Sequence, residues 1–118
     1  MFHKIPKWVR NFPHELDKTA LENLARTSKG SFEKPREMIF VLYGFSKLED
    51  VNSAIHQFEQ QGWDCAHYEQ SDEAGEYVIE AKKSEYVINE ESYRRDSTFF
   101  MKAAKLYNAQ YDGWFASN

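Results

Sequence analysis

The sequence predicts a small α+β fold built on one antiparallel sheet, and three observations carry that expectation. The run Met38-Ile39-Phe40-Val41-Leu42 is apolar at consecutive positions, as in a strand buried on both faces and hence central in its sheet. Two stretches with helical spacing, opening at Ser46 and Asn89, alternate with shorter strand-like runs. The chain has 118 residues, of which 42% are hydrophobic and 16% aromatic, enough for one core and too apolar for a disordered regulator.

Taken in order, residues 1–13 mix prolines, basic residues and aromatics without a period and read as an extended arm. From Glu15 to Ser28 the pattern turns helical, with Leu21, Leu24 and the alanines on one stripe, and Gly30 stands where a left-handed cap residue is expected. Lys34-Pro35-Arg36 reads as a linker, since proline pushes its neighbour out of helical geometry. The first strand spans Glu37–Tyr43, followed by a turn, Tyr43-Gly44-Phe45-Ser46.

Ser46 and Glu49 form a capping box for the next helix, whose inward stripe is Leu48, Val51, Ile55 and Phe58. Gly62 closes it. Trp63–Glu69 and Glu76–Lys82 are strands joined by the polar turn Gln70 to Gly75. Asn89 caps the last helix, with Tyr93, Phe100, Ala104 and Tyr107 inward, and Ala109–Trp114 is a final short strand.

Strand, helix, strand, strand, helix, strand is the split βαβ, or ferredoxin-like, order, here βαββαβ with an extra N-terminal helix. Residues 1–34 form the basic arm and helix, and residues 35–118 the domain. Both main helices then cover one face of the sheet, and something should cover whichever of Ile39/Val41 or Phe40/Leu42 faces away. The N-terminal helix is one candidate; a second copy of the chain, pairing as a homodimer through the open face, is the other.

The net charge of −4 hides an asymmetry: residues 1–36 carry a balance of +4 and residues 37–118 one of −8. An acidic body repels phosphate backbones and attracts cationic segments. The longest apolar run, Met38–Tyr43, is far short of a membrane span, and residues 1–7 lack the apolar stretch of a secretory signal. A single cysteine, Cys65, excludes an internal disulfide framework, so a reducing cytoplasm is the expected compartment.

Catalytic constellations fail one by one. Cys65 and His67 alternate onto one strand face with His56 on the preceding helix, which is short of the three or four converging ligands that zinc needs. As a nucleophile–base pair they lack an orienting third group and an oxyanion turn. No arginine stands in the turn after the first strand to cradle phosphate, and there is no C-x-x-C. Glu90 and Glu91 suit the positive end of a helix dipole, and Arg94-Arg95 reads as a solvated face. Neither an enzyme nor a cofactor is expected. RNA-recognition modules share the topology and stack bases on the first and third strands, but Glu76 and Glu80 stand where phosphate contacts need Lys or Arg. The arm (Phe2, Lys4, Lys7, Trp8, Arg10, Phe12) reads as folding back on the acidic body, with membrane or nucleic acid as the alternatives.

Tyr111-Asp112-Gly113-Trp114 follows an alanine-containing helix end, Ala103-Ala104-Lys105-Leu106-Tyr107, and a short polar step. One reading is a strand ending in a tight turn, its indole plugging the sheet's end. The segment also resembles the C-terminal signature of the regulator of ribonuclease E activity B (RraB-like) family. Phe45-Ser46-Lys47-Leu48-Glu49-Asp50 and Gln61-Gly62-Trp63-Asp64 are similar in kind to its first turn and its helix-ending glycine. The resemblance covers roughly residues 37–115. It implies a ferredoxin-like, non-catalytic inhibitor that binds endoribonuclease E outside its catalytic centre, reached through a basic segment, with no direct nucleic acid contact and no membrane. Asp112, Gly113 and Trp114 become candidate partner contacts because they match the motif, and Glu76 and Glu80 because a cationic partner needs carboxylates. An RNA-binding or ligand-sensing module using the open sheet face is the second reading.

Overall fold

In the computed structural model, which describes residues 5–13, 15–27, 32, 34–70 and 75–117, the apolar run lies in β1 (Arg36–Phe45) at the heart of a four-stranded sheet. Ahead of it come α1 (Lys7–Arg10) and α2 (Glu15–Thr27). After it come α3 (Leu48–Gln60), β2 (Asp64–Glu69), β3 (Tyr77–Tyr86), α4 (Glu90–Leu106) and β4 (Gln110–Ala116). The strand order is β2-β3-β1-β4 and every pairing is antiparallel, so β1 and β3 are central.

Alternation along β1 decides which side chains go inward. Met38, Phe40 and Leu42 are fully buried beneath α3 and α4, while Ile39 and Val41 face the other way and are only half-buried. Phe40 is the hub: its ring stacks on Phe100 at 4.7 Å and meets Trp63 edge-on at 5.5 Å. Val51, Ala54 and Phe58 of α3 and Tyr93, Phe100, Ala103 and Ala104 of α4 complete this layer.

Both sheet helices end in the same backbone motif. At the end of α3 the Trp63 amide donates to the Phe58 carbonyl (3.1 Å) and the Gly62 amide to that of Glu59 (3.0 Å), with Gly62 at φ 89°. At the end of α4 the Ala109 amide donates to the Ala104 carbonyl (2.8 Å) and Asn108, at φ 55°, takes the glycine's place. Asn89 caps α4 as expected: its side chain accepts from the Ser92 amide at 2.9 Å, and Ser92 Oγ accepts from the Asn89 amide at 3.1 Å.

Several local expectations are corrected. Ser46 does not cap α3; the N-cap is Lys47, whose side chain makes no cap bond, and Leu48 stands out in solvent rather than in the inward stripe. Arg36 belongs to β1, not to a linker; its guanidinium is buried and donates to the Ser117 carbonyl at 3.4 Å. Gly44, at φ 80°, forms a bulge within β1 rather than a terminal turn, and β3 and β4 outrun their expected ends. The arm contains a helical turn, so two helical segments precede the sheet. Gly30, Ser28, the turn residues 71–74 and arm residues 1–4 lie outside the described residues.

The N-terminal helix does not cover the open face. Val9, Phe12 and Leu21 join the core on the helix side, where Trp8 and Phe12 pack on the Tyr93 ring at 6.3 and 5.2 Å. The arm folds back as expected, but through aromatic contacts, with the Arg94 guanidinium 5.1 Å from the Phe12 ring centroid. Trp8 and Phe12 bury against the Tyr93 ring on the helix side, whereas carboxylates surround the far face.

Candidate functional site

The face of the sheet away from the helices carries the features that look outward. Register places Val41 beside Glu80 and Ile39 beside Lys82 on the central strands, with Ala66, Tyr68 and Asp64 of β2 flanking them. On the other side, Phe115 of β4 pairs with Ile39. Three aromatic side chains here are exposed: Tyr43 by 36%, Tyr68 by 49% and Phe115 by 53%. Rings grouped on one exposed face are the kind of surface that marks an interaction site.

Two shallow concavities divide this face. One, about 380 Å³, is lined by Val41, Tyr43, Tyr68, Val78 and the acidic Glu69 and Asp112. The other, about 230 Å³, is lined by Ile39, Ala66 and the charged Glu37, Asp64, Glu80 and Lys82. Five carboxylates against one ammonium make the face acidic. The Tyr68 hydroxyl donates to Glu80 Oε2 at 3.1 Å. Burial, that bond and the charges of Glu80 and Asp112 together raise the Tyr68 phenol above its ordinary range and keep it neutral.

The motif residues are split between the two faces by a β-bulge. Phe40 pairs with Trp114 and Leu42 with Tyr111, so two residues of β4, Asp112 and Gly113, stand opposite Val41. Gly113 takes φ 87° at this point, inside the strand rather than in a turn at its end. The extra residue turns Asp112 onto the acidic face and keeps Trp114 and Tyr111 on the helix side. Trp114 packs edge-on against Tyr93 at 5.6 Å, with its indole nitrogen buried. It braces the core rather than plugging the sheet's end.

Of the five candidate contacts, therefore, Asp112 and Glu80 share the open face, Gly113 shapes it, Trp114 lies behind it, and Glu76 sits at the turn leading into β3. Sequence reasoning missed Tyr43, Tyr68, Phe115, Glu37 and Asp64. The alternation Asp64, Ala66, Tyr68 was the available signal; pairing it with Glu80 required the register.

Several other polar groups are engaged within the fold. Burial and the nearby Glu59 and Asp64 charges push the Cys65 thiol up to about 12, and its Sγ donates weakly to the Trp63 carbonyl at 4.0 Å. His56 lies 3.2 Å from Gln60 Nε2. Among the described residues no group of three or more His, Cys, Asp or Glu side chains is arranged to hold a metal ion, and no helix is long and apolar enough to cross a membrane. Buried Asp96 accepts from the Tyr86 hydroxyl at 2.7 Å and from Arg95 at 3.1 Å, and Arg94 pairs with Glu90 at 3.2 Å. These are bonds within and around α4, away from the acidic sheet face.

A search of curated proteins returned no match. The family model described as "Regulator of ribonuclease activity B" matches residues 14–115. That match takes in α2, both sheet helices and nearly all of the four strands, well over half of the chain, so this protein belongs to the regulator of ribonuclease activity B family.

Proposed function

We propose that the chain is a non-catalytic regulator that binds the ribonuclease protein itself, with ribonuclease E as the partner and a basic segment of that enzyme as the contact. The observation that carries this reading is the family match over nearly the whole sheet domain. The chemistry of the chain supports it. Cys65 is held as a thiol near 12, far from a nucleophile's range, and the open face presents carboxylates where an RNA-binding sheet presents cations. The central β1 and β3 support the ferredoxin-like reading of the fold. Residues 35–118 act as the regulatory domain, preceded by the basic arm and helix of residues 1–34, working in the cytoplasm where RNA is degraded.

Asp112 and Glu80 take direct contacts in this account, with Glu76 at the margin, while Gly113 and Trp114 set the strand geometry behind them. The second reading, a sheet that stacks RNA bases, has exposed Tyr43 and Tyr68 in its favour. The surrounding carboxylates count against it, because a negative surface repels phosphates at every salt concentration short of full screening.

Co-purification with ribonuclease E from the source organism tests the reading, using the full-length enzyme and a form without its non-catalytic half. Retention by the full-length enzyme and loss with the shortened one is the expected pattern. Association with neither form overturns it.

A further inference from the structure

We propose that the open face of the sheet docks an extended, arginine-bearing protein segment, with one guanidinium seated between Tyr43 and Tyr68 in the concavity walled by Asp112 and Glu69. This rests on the reading above, that the chain works by binding a protein, and adds the surface and the chemistry of contact.

The face is apolar along its centre, at Ile39, Val41 and Val78, and acidic around it. That combination selects an occupant. A guanidinium stacks on aromatic faces and forks onto carboxylates, and its weaker hydration makes it easier to dock on a partly apolar floor than an ammonium. The Tyr68 hydroxyl is committed to Glu80 at 3.1 Å, which fixes the ring while leaving the residue half-exposed. The β4 bulge at Asp112 and Gly113 aims the carboxylate at the same concavity. A second copy of this chain is a poor fit, since two faces each carrying five carboxylates and one lysine repel each other. An RNA strand meets the same repulsion.

The test uses the full chain with three probes, a ten-residue arginine peptide, a glycine–serine peptide of equal length and a single-stranded RNA, followed by fluorescence anisotropy at low and raised salt. Binding of the arginine peptide alone, weakening with salt, is expected. Tyr43→Ala and Tyr68→Ala should each weaken it about fivefold and Asp112→Asn about threefold or more, with unchanged circular dichroism, since all three positions are exposed. Amide shifts in the unaltered protein provide a second readout, expected around residues 41–43, 68, 78–80 and 112–113 and not on α3 or α4.

Equal peptide binding by all three variants, or shifts confined to the helices, overturns the proposal. So does preference for RNA, or a dimer of the wild-type chain that Tyr68→Ala dissolves. The two readings fail separately. Ribonuclease E retained equally by the variants sinks the surface and spares the partner. Peptide binding lost in the variants without any ribonuclease association does the reverse.

Discussion

The Tyr111 hydroxyl donates to Asp17 Oδ1 at 3.3 Å, joining the last strand to the N-terminal helix across 94 positions of sequence. Asp17 is buried, 1% exposed, so its carboxylate depends on the donors around it. Tyr111→Phe removes one of them at almost constant volume and should lower stability by about 1–3 kcal/mol. Urea unfolding measures the loss, and hydrogen exchange should show α2 opening first. Deleting residues 1–33 should cost more, because the Tyr93 ring then loses Trp8 and Phe12.

Phe40→Ala strikes the hub where Trp63, Tyr93, Phe100 and Tyr111 meet. The cavity it leaves, added to the lost apolar burial, should cost about 3–5 kcal/mol. Thermal unfolding checks this, and a loss under 1 kcal/mol would mean that the aromatic cluster does not carry the core.

Gly113→Ala isolates backbone strain. A Cβ at Gly113 meets nothing within 4 Å, yet the residue sits at φ 87°. Destabilisation of about 1–2 kcal/mol is expected from conformation alone, with the crystal structure of the variant showing either the strained angle retained or the bulge flattened.

Alkali should destabilise the protein progressively from about pH 9 upward. Cys65 rises from its ordinary 9.0 to about 12, chiefly by burial, and the phenols of Tyr86, Tyr93 and Tyr111 rise above 10.0 for the same first reason. All four groups are held neutral by the fold, so above their ordinary values the folded protein binds more protons than the unfolded chain. Their contribution is complete below about pH 9 and declines as pH rises from there. Urea midpoints at pH 8, 9.5 and 11 check the direction. Alkylation of Cys65 at pH 8 should also run far slower than that of a free thiol.

How much of this was legible in sequence depends on the range of the forces involved. Asn89 and Gly62 mark helix ends through bonds within five residues, and both were readable. The consecutive apolar run at Met38 identified a central strand, although β1 is fully buried on one face alone, with Ile39 and Val41 half-buried on the other. The same run could not say which set faced the helices; that is fixed by Phe100 and Phe58, more than fifteen residues away. Ser46 and Glu49 had the spacing of a capping box, but the backbone enters α3 one residue later, at Lys47. Bulges at Gly44 and Gly113 depend on pairing partners and left only a glycine as their trace. The acidic face was invisible for the same reason: Tyr43, Tyr68, Glu80 and Asp112 come from four strands and meet only through register.

The regulatory claim is tested most directly by the rate at which ribonuclease E cleaves a defined RNA while this protein is titrated in. The account predicts a saturable fall in cleavage with the RNA itself left unbound, and a right-shifted curve for Tyr68→Ala. Cleavage unchanged at saturating protein, or a fall traced to RNA being sequestered, would contradict it.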